Sequence, residues 1–186
     1  MNVHSLFSSA VVAATFATVV GAAPAVHAYS VESGDMLLKP VVGASVNALR
    51  YTAATRATPP GGMLLGADFD WHVAGGLALT AQLRPVVSSN FIDGNLGVGV
   101  KYRVTQLGAP FIPYGSAVVV GAVGGPLGYG DIHTNAGLRI AGGVDYFILR
   151  DVAVGIEMAG EGTVLITPIA APEASTDVLF GVTWRL

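Results

Sequence analysis

The feature of the sequence that most constrains the fold is an alternation of apolar and polar residues with a period of two. Successive side chains of an extended strand point to opposite sides, so each alternating segment predicts a strand with two unlike faces. In one segment Phe69 and Trp71 fall on the apolar side, and Asp68 falls on the other. Eight segments are predicted, approximately Met36–Ala48, Gly62–Trp71, Gly76–Val87, Asn95–Val104, Ile112–Ala122, Asn135–Phe147, Val152–Gly160 and Thr176–Leu186.

Composition indicates which side of these strands faces outward. Charged residues make up 11% of the chain and apolar residues 52%, and the mean hydropathy is +0.62. A typical soluble domain carries about 25% charged residues. The excess of apolar residues is spread among strands and 25 glycines, not gathered into helical spans. The sequence therefore predicts an all-β, eight-stranded antiparallel up-and-down transmembrane β-barrel, with apolar side chains toward lipid and polar ones toward the lumen.

Two further properties exclude whole classes of function. The chain has no cysteine, which rules out a disulfide framework, a thiolate metal site and a cysteine nucleophile. The formal net charge is −3, which gives no support for binding to nucleic acid.

The first 28 residues have the features of a cleaved signal peptide. Ala10–Val20 is a short apolar stretch, Pro24 follows it, and Val26-His27-Ala28 fits a small-residue cleavage site. The barrel domain is then expected to occupy residues 29–186, beginning at Tyr29. The alternative is an uncleaved anchor helix, but the apolar stretch is shorter than the roughly 20 residues that a span needs.

The links between the predicted strands tend to alternate between short and long. Transmembrane barrels of bacteria have short periplasmic turns and longer loops outside the cell. With both ends of the barrel in the periplasm, the longer links Arg50–Gly61, Gly124–Thr134 and Gly162–Ser175 are expected to be exposed loops outside the cell.

Aromatic residues cluster at the predicted periplasmic ends of the strands. Rings with one polar atom favour the boundary between lipid and water. The sequence therefore predicts a periplasmic aromatic girdle on the lipid-facing side, formed by Trp71, Tyr102, Tyr114, Tyr146 and Trp184. The alternative is that these are the core aromatics of a soluble barrel.

Charged residues fall mainly on the opposite side of the strands. An eight-stranded barrel has an interior just wide enough to be filled by side chains, and charges buried there must be paired. The sequence predicts a lumenal charge network that holds the barrel closed; a narrow ion path lined by charge is the alternative. The predicted members of the lumenal charge network are Lys39, Arg84, Lys101, Arg103, Arg139 and Arg185 with Asp68, Asp70, Asp145, Glu157, Glu161 and Asp177.

Three stretches of the predicted strands are distinctive: Gly142-Gly143-Val144-Asp145-Tyr146-Phe147, Asp151-Val152-Ala153-Val154-Gly155-Ile156 and Phe111-Ile112-Pro113-Tyr114-Gly115. They resemble segments of the bacterial family of eight-stranded outer-membrane β-barrel domains. The C-terminal residues also resemble the signal read by the outer-membrane assembly machinery, with Gly181, Trp184 and Leu186 as its positions, although that signal usually ends in an aromatic residue. The resemblance implies an outer-membrane location and contact with outer-membrane lipids, lipopolysaccharide and that machinery.

No enzymatic motif is convincing. The sequence from His133 to Gly137 faintly resembles the His-any-Ser-Asn-Ala motif of lipid A deacylases, but the serine is absent and the spacing is one residue short. His72 lies near Asp68 and Asp70, where a cation is conceivable, but pairing of the acids to arginine is favoured. We therefore expect a structural or surface-interaction protein without catalytic activity, metal or cofactor. A narrow channel, a soluble ligand-binding barrel and a lipid-modifying enzyme are the alternatives.

Overall fold

The structure is a computed structural model that describes residues 31–49, 61–89, 91–105, 110–127, 132–167 and 171–186. The predicted signal peptide, residues 1–28, and Tyr29 lie outside this part. Within the described ranges no helix is both long and apolar enough to cross a bilayer. The strands are β1 Met36–Leu49, β2 Gly61–Ala74, β3 Leu77–Leu83, β4 Val86–Val87, β5 Phe91–Arg103, β6 Phe111–Pro126, β7 His133–Leu149, β8 Val152–Thr167 and β9 Ala171–Arg185.

The strands form one closed antiparallel barrel. Apart from β3 and β4, each strand pairs with its neighbour in the chain, and β1 also pairs with β9 from Leu37–Arg185 to Leu49–Ala174. The short segments β3 and β4 are two parts of one barrel strand, since both lie between β2 and β5. The predicted all-β fold with eight strands is therefore confirmed, and closure removes the unpaired edges that an open sheet would present.

A proline causes the interruption between β3 and β4. Pro85 has no N–H to contribute to the ladder. Pairing continues on both sides of it, because the Arg84 N–H donates to the Asn95 carbonyl at 2.9 Å and the Leu65 N–H donates to the Pro85 carbonyl at 3.1 Å. The strand therefore keeps its direction, and the Arg84 side chain remains fully buried in the lumen.

The two ends of the barrel differ. We call the end at which β1 begins and β9 ends the bottom, and the opposite end the top. Tight turns join β2 to β3 and β7 to β8 at the bottom, where Gly75 has a φ of 50°, a left-handed conformation that glycine accommodates easily.

At the top the strands run further than the alternation predicted. β6 extends to Pro126, β7 begins at His133, β8 extends to Thr167 and β9 begins at Ala171. The predicted loops Gly124–Thr134 and Gly162–Ser175 are therefore wrong over much of their length, and residues 127–132 and 168–170 remain between the strands. Backbone pairing does not require an apolar face, so the ladder continues beyond the alternating region. Of the predicted loop Arg50–Gly61, residues 50–60 lie outside the described part.

The outward and inward faces have opposite chemistry. The outward face carries large apolar side chains, such as Leu96, Val98 and Ile140, which are 64%, 65% and 69% exposed. The inward face of β3 instead carries Ala78, Thr80 and Gln82, all buried. This arrangement contradicts the soluble-barrel alternative, which requires an apolar interior and a polar exterior, and it suits a barrel surrounded by lipid.

Candidate functional site: the charged lumen

Eight buried charged side chains occupy the middle of the lumen, and we call them the central network. Each is at most 1% exposed, although ionised groups are rarely so buried unless they are paired. Four are basic and four acidic: Lys39, Arg84, Lys101 and Arg103, with Asp68, Asp70, Asp145 and Glu157.

One half of the central network joins β2 to the barrel strand beside it and to β5, the next strand after that. Arg84 holds Asp68 with two hydrogen bonds, from Nε to Oδ1 at 2.9 Å and from an NH2 nitrogen to Oδ2 at 2.6 Å. Lys101 Nζ lies 2.9 Å from Asp70 Oδ2 and 3.4 Å from Asp68 Oδ2. Arg103 donates to Asp70 at 2.7 Å. Two carboxylates that are close together on β2 thus share three cations.

The other half crosses the lumen. Lys39 of β1 lies 2.8 Å from Asp145 of β7, a strand that is not its sheet neighbour. An ion pair of 2.7 Å, without the alignment of a hydrogen bond, joins Arg84 to Glu157 of β8. Arg103 also reaches Asp145 at 3.4 Å. These contacts connect opposite walls, so the middle of the barrel is bridged by paired side chains.

Tyr114 lies among the side chains of the central network and not in the aromatic girdle. It is 5% exposed; its hydroxyl accepts from Lys39 Nζ at 2.7 Å and donates to Glu157 Oε2 at 2.9 Å. Lys39, Lys101 and Arg103 lie 4.7, 5.2 and 5.5 Å from its ring centroid, within the range of cation–π attraction.

The prediction for Tyr114 was wrong because β6 is apolar or small on both faces, so its alternation does not identify the inward side. Ser116, a polar residue on the same face as Tyr114, is also buried and was the signal for the correct orientation.

The remaining predicted girdle residues lie near the bottom. Trp71, Tyr102 and Trp184 face outward and are 45%, 53% and 40% exposed. Tyr146 is directly opposite Phe111 in the ladder and so lies on the predicted outer face, but it is only 6% exposed, and its ring centroid lies 4.8 Å from that of Phe111. Phe111, which the sequence analysis did not include, is itself 39% exposed on the outer face.

Glycines make room for the central network in the barrel wall. A Cβ atom at Gly181 would lie 2.8 Å from Lys39 Cε and 2.8 Å from the Pro40 carbonyl oxygen. A Cβ at Gly155 would collide with the Asp145 carboxylate, and one at Gly143 would collide with the Tyr114 ring. Gly181, which the sequence analysis assigned to an assembly signal, thus also has a packing role. Of the other two positions of that signal, Trp184 faces outward and Leu186 is 71% exposed.

A second group of charges lies nearer the top. Arg139 of β7 forms an ion pair with Glu161 of β8 and donates to the Gln82 side chain at 3.1 Å. Its Nε is 3.9 Å from Asp177 Oδ2. Gln82, which also lies 3.5 Å from Asp68, connects this group to the central network.

Arg185, also predicted to belong to the lumenal charge network, forms an ion pair outside the central network. It pairs with Asp35 at 2.7 Å at the bottom of the barrel, where the two side chains are 22% and 12% exposed. Asp35 precedes β1, outside every alternating segment, so no pattern in the sequence indicated this pair.

Residues 31–35 fold across the bottom of the lumen. The Gly34 N–H donates to the His72 carbonyl and the His72 N–H donates to the Asp35 carbonyl, each at 2.8 Å. Val31 is buried with Ile112, Phe147 and Ala153 in a small apolar cluster. The segment before β1 therefore covers the lumen from below.

His72 takes part in this lower layer. Its Nε2 lies 3.2 Å from a nitrogen of Arg103, and its Nδ1 lies 3.3 Å from the Asp35 carbonyl oxygen. Arginine can only donate, so Nε2 accepts and Nδ1 carries the proton that is directed to the carbonyl. His72 therefore stabilises a buried guanidinium.

The other candidate chemistry finds no support in the described residues. No group of three or more His, Asp or Glu side chains there is arranged to hold a metal ion. His133 is the first residue of β7, not a loop residue, and its ring stacks on Phe91 at 5.1 Å with an interplanar angle of 12°.

No protein-family model and no curated protein matches the chain in sequence. Solved structures do match it in fold. Neisserial surface protein A has a TM-score of 0.65 and 16% identity, over 83% of this chain and 98% of that one. The N-terminal β-barrel domain of Pseudomonas aeruginosa OprF gives 0.60 and 12%, over 83% and 98%. The outer-membrane protein OprG of the same organism gives 0.57 and 12%, over 87% and 98%.

These similarities define the class of the fold, the closed eight-stranded β-barrel of bacterial outer-membrane proteins. Together with its apolar exterior, the barrel is that of a protein located in the bacterial outer membrane.

Proposed function

We propose that this chain is a structural or surface-interaction protein, in which a closed barrel anchors the links at its top outside the cell. The observation that carries the proposal is the central network. It fills the middle of the lumen with paired charges that are at most 1% exposed, which favours a wall braced from inside over an open route for solutes.

The energetics of the central network favour a brace over a channel. Removing one partner of a buried ion pair costs about 3–5 kcal/mol, because the other charge is left uncompensated. Passage of an ion would have to separate several such pairs, among them those of Asp145 with Lys39 and Arg103. A conducting pore instead keeps its charged residues in contact with water.

We further propose that the top faces the cell exterior and the bottom faces the periplasm. The tight turns and the outward-facing Trp71, Tyr102 and Trp184 lie at the bottom, as expected for a periplasmic end. Residues 50–60, 127–132 and 168–170 would then be available to lipopolysaccharide or to a surface partner.

A catalytic role is not part of the proposal. Neighbouring residues of a strand point to opposite faces, so Thr134 cannot present its hydroxyl to His133 within β7.

Conductance tests the closed barrel. The full-length protein, inserted in planar bilayers, is expected to give no current steps above the bare membrane, with insertion verified by flotation of vesicles prepared in parallel. Reproducible ohmic steps from inserted protein would contradict the proposal and favour the narrow-channel alternative.

Cysteine labelling tests the orientation, because the chain has no cysteine of its own. In intact cells, a membrane-impermeant maleimide is expected to label Ser89→Cys at the top and not Asp151→Cys at the bottom. Labelling of Asp151→Cys is expected only after the outer membrane is permeabilised, and the reverse pattern would show that the barrel is inverted.

A further inference from the structure

A cavity of about 60 Å³ lies at the top of the lumen, above the central network. We call it the acidic vestibule, and its charged and amide side chains are Asp93, Asn95, Arg139, Glu161, Glu173 and Asp177. Four carboxylates therefore face a single guanidinium. In the central network, by contrast, acidic and basic side chains are equal in number.

Three buried oxygen atoms in the acidic vestibule have no hydrogen-bond donor. They are the Oδ1 atoms of Asp93, Asn95 and Asp177. Asn95 is 5% exposed and Asp177 is 2% exposed, so bulk water does not solvate them freely. A buried acceptor without a donor is destabilising, and more so when it is charged.

Arg139 does not supply the missing donors. Its two terminal nitrogens are engaged with Gln82 and Glu161, and its Nε, a buried donor without an acceptor, remains 3.9 Å from Asp177 Oδ2. The acidic vestibule therefore combines excess negative charge with acceptors that lack donors, and its complement is a cation that donates hydrogen bonds.

We propose that the acidic vestibule binds the primary ammonium group of a small amine. An ammonium group carries a positive charge and three N–H donors, which complements a lining rich in carboxylates, and it needs no metal-type ligand geometry. The described residues also form no cluster suited to a metal ion. A cavity of 60 Å³ has room for such a head group, since a water molecule occupies about 30 Å³ in the liquid.

The position of the acidic vestibule determines what binding can accomplish. Asp93 and Glu173 are half-buried, so the site is accessible from the top. Arg139 and Gln82 separate it from the central network, which blocks the path below. The bound amine would be captured at the surface without being transported. This site does not depend on which surface role the barrel has.

The test uses the isotope-labelled full-length barrel in neutral detergent, with methylammonium as the probe and the Asn95 side-chain amide resonance as the readout. We expect a saturable shift. Tetramethylammonium, which has the same charge but no N–H, is expected to bind at least tenfold more weakly. Nα-acetyl-lysine amide distinguishes the sources of the ammonium group: tighter binding than methylammonium identifies a lysine side chain, and equal binding identifies a free amine.

Variants locate the site. Asp177→Asn is expected to weaken methylammonium binding at least tenfold, whereas Asp151→Asn at the bottom leaves it unchanged. No saturable shift, equal binding of tetramethylammonium, or equal effects of the two variants would each overturn the proposal. If Asp177→Asn fails to fold, the comparison of methylammonium with tetramethylammonium on the unaltered protein still tests the proposal.

Discussion

Replacing Tyr114 by phenylalanine removes one oxygen atom from the centre of the barrel. That hydroxyl accepts from Lys39 at 2.7 Å and donates to Glu157 at 2.9 Å, in a position that is 5% exposed. Both partners are members of ion pairs, and a hydrogen bond to a charged group contributes about 1.5–3 kcal/mol. Each partner keeps an ion pair, Lys39 with Asp145 and Glu157 with Arg84, so neither is left alone. The expected loss in the free energy of unfolding is about 3 kcal/mol.

Reversible urea unfolding in lipid vesicles, followed by the fluorescence of Trp71 and Trp184, measures this loss. The matched control is Tyr102→Phe, because Tyr102 is 53% exposed on the outer face and lacks lumenal partners. Its expected effect is within about 0.5 kcal/mol, as for surface substitutions generally. If the two substitutions change the free energy of unfolding equally, the inward position of Tyr114 and its bridging role are refuted.

Three further predictions concern the same unfolding assay. Asp145→Asn leaves Lys39 and Arg103 with one carboxylate fewer and is expected to cost about 3–5 kcal/mol; a cost below about 1 kcal/mol would show that the crossing pairs contribute little. Gly181→Ala forces a Cβ against Lys39 and is expected to cost about 1–3 kcal/mol, whereas at Gly160, where a Cβ meets nothing within 4 Å, the same change is expected to be nearly neutral. Equal costs at the two glycines would argue against the packing role of Gly181. Arg185→Ala removes a partly exposed pair, so a loss of at most about 1 kcal/mol that shrinks further in high salt is expected, and a large loss independent of salt would contradict it.

The barrel could be predicted because alternation, composition and link length can all be obtained from the sequence without knowing which strands pair. Asp68 and Asp70 alternate with Phe69 and Trp71, so their inward direction follows from the pleat of the strand. Where a strand is apolar or small on both faces, as in β6, this signal disappears, and Tyr114 was placed on the wrong side.

The contacts across the lumen were not predictable in detail. Lys39 and Asp145 are 106 residues apart, and their meeting depends on the stagger and diameter of the closed barrel. The position of residues 31–35 was unpredictable for the same reason, because Val31 and Asp35 find their partners only once the bottom of the barrel has formed. The acidic vestibule was missed because Asp93 and Glu173 lie beyond the alternating segments predicted from the sequence.

The pairing of β1 with β9 has a consequence for biogenesis. β1 is synthesised first, and it can pair with β9 only after that last strand has been synthesised. The ion pair of Asp35 with Arg185 likewise joins residues that are 150 positions apart in the chain. Until then the nascent sheet has two open edges, which can recruit strands from other chains. A chain that ends before Ala171 would therefore keep both edges permanently, and we expect it to be degraded or to aggregate and not to form a narrower cylinder.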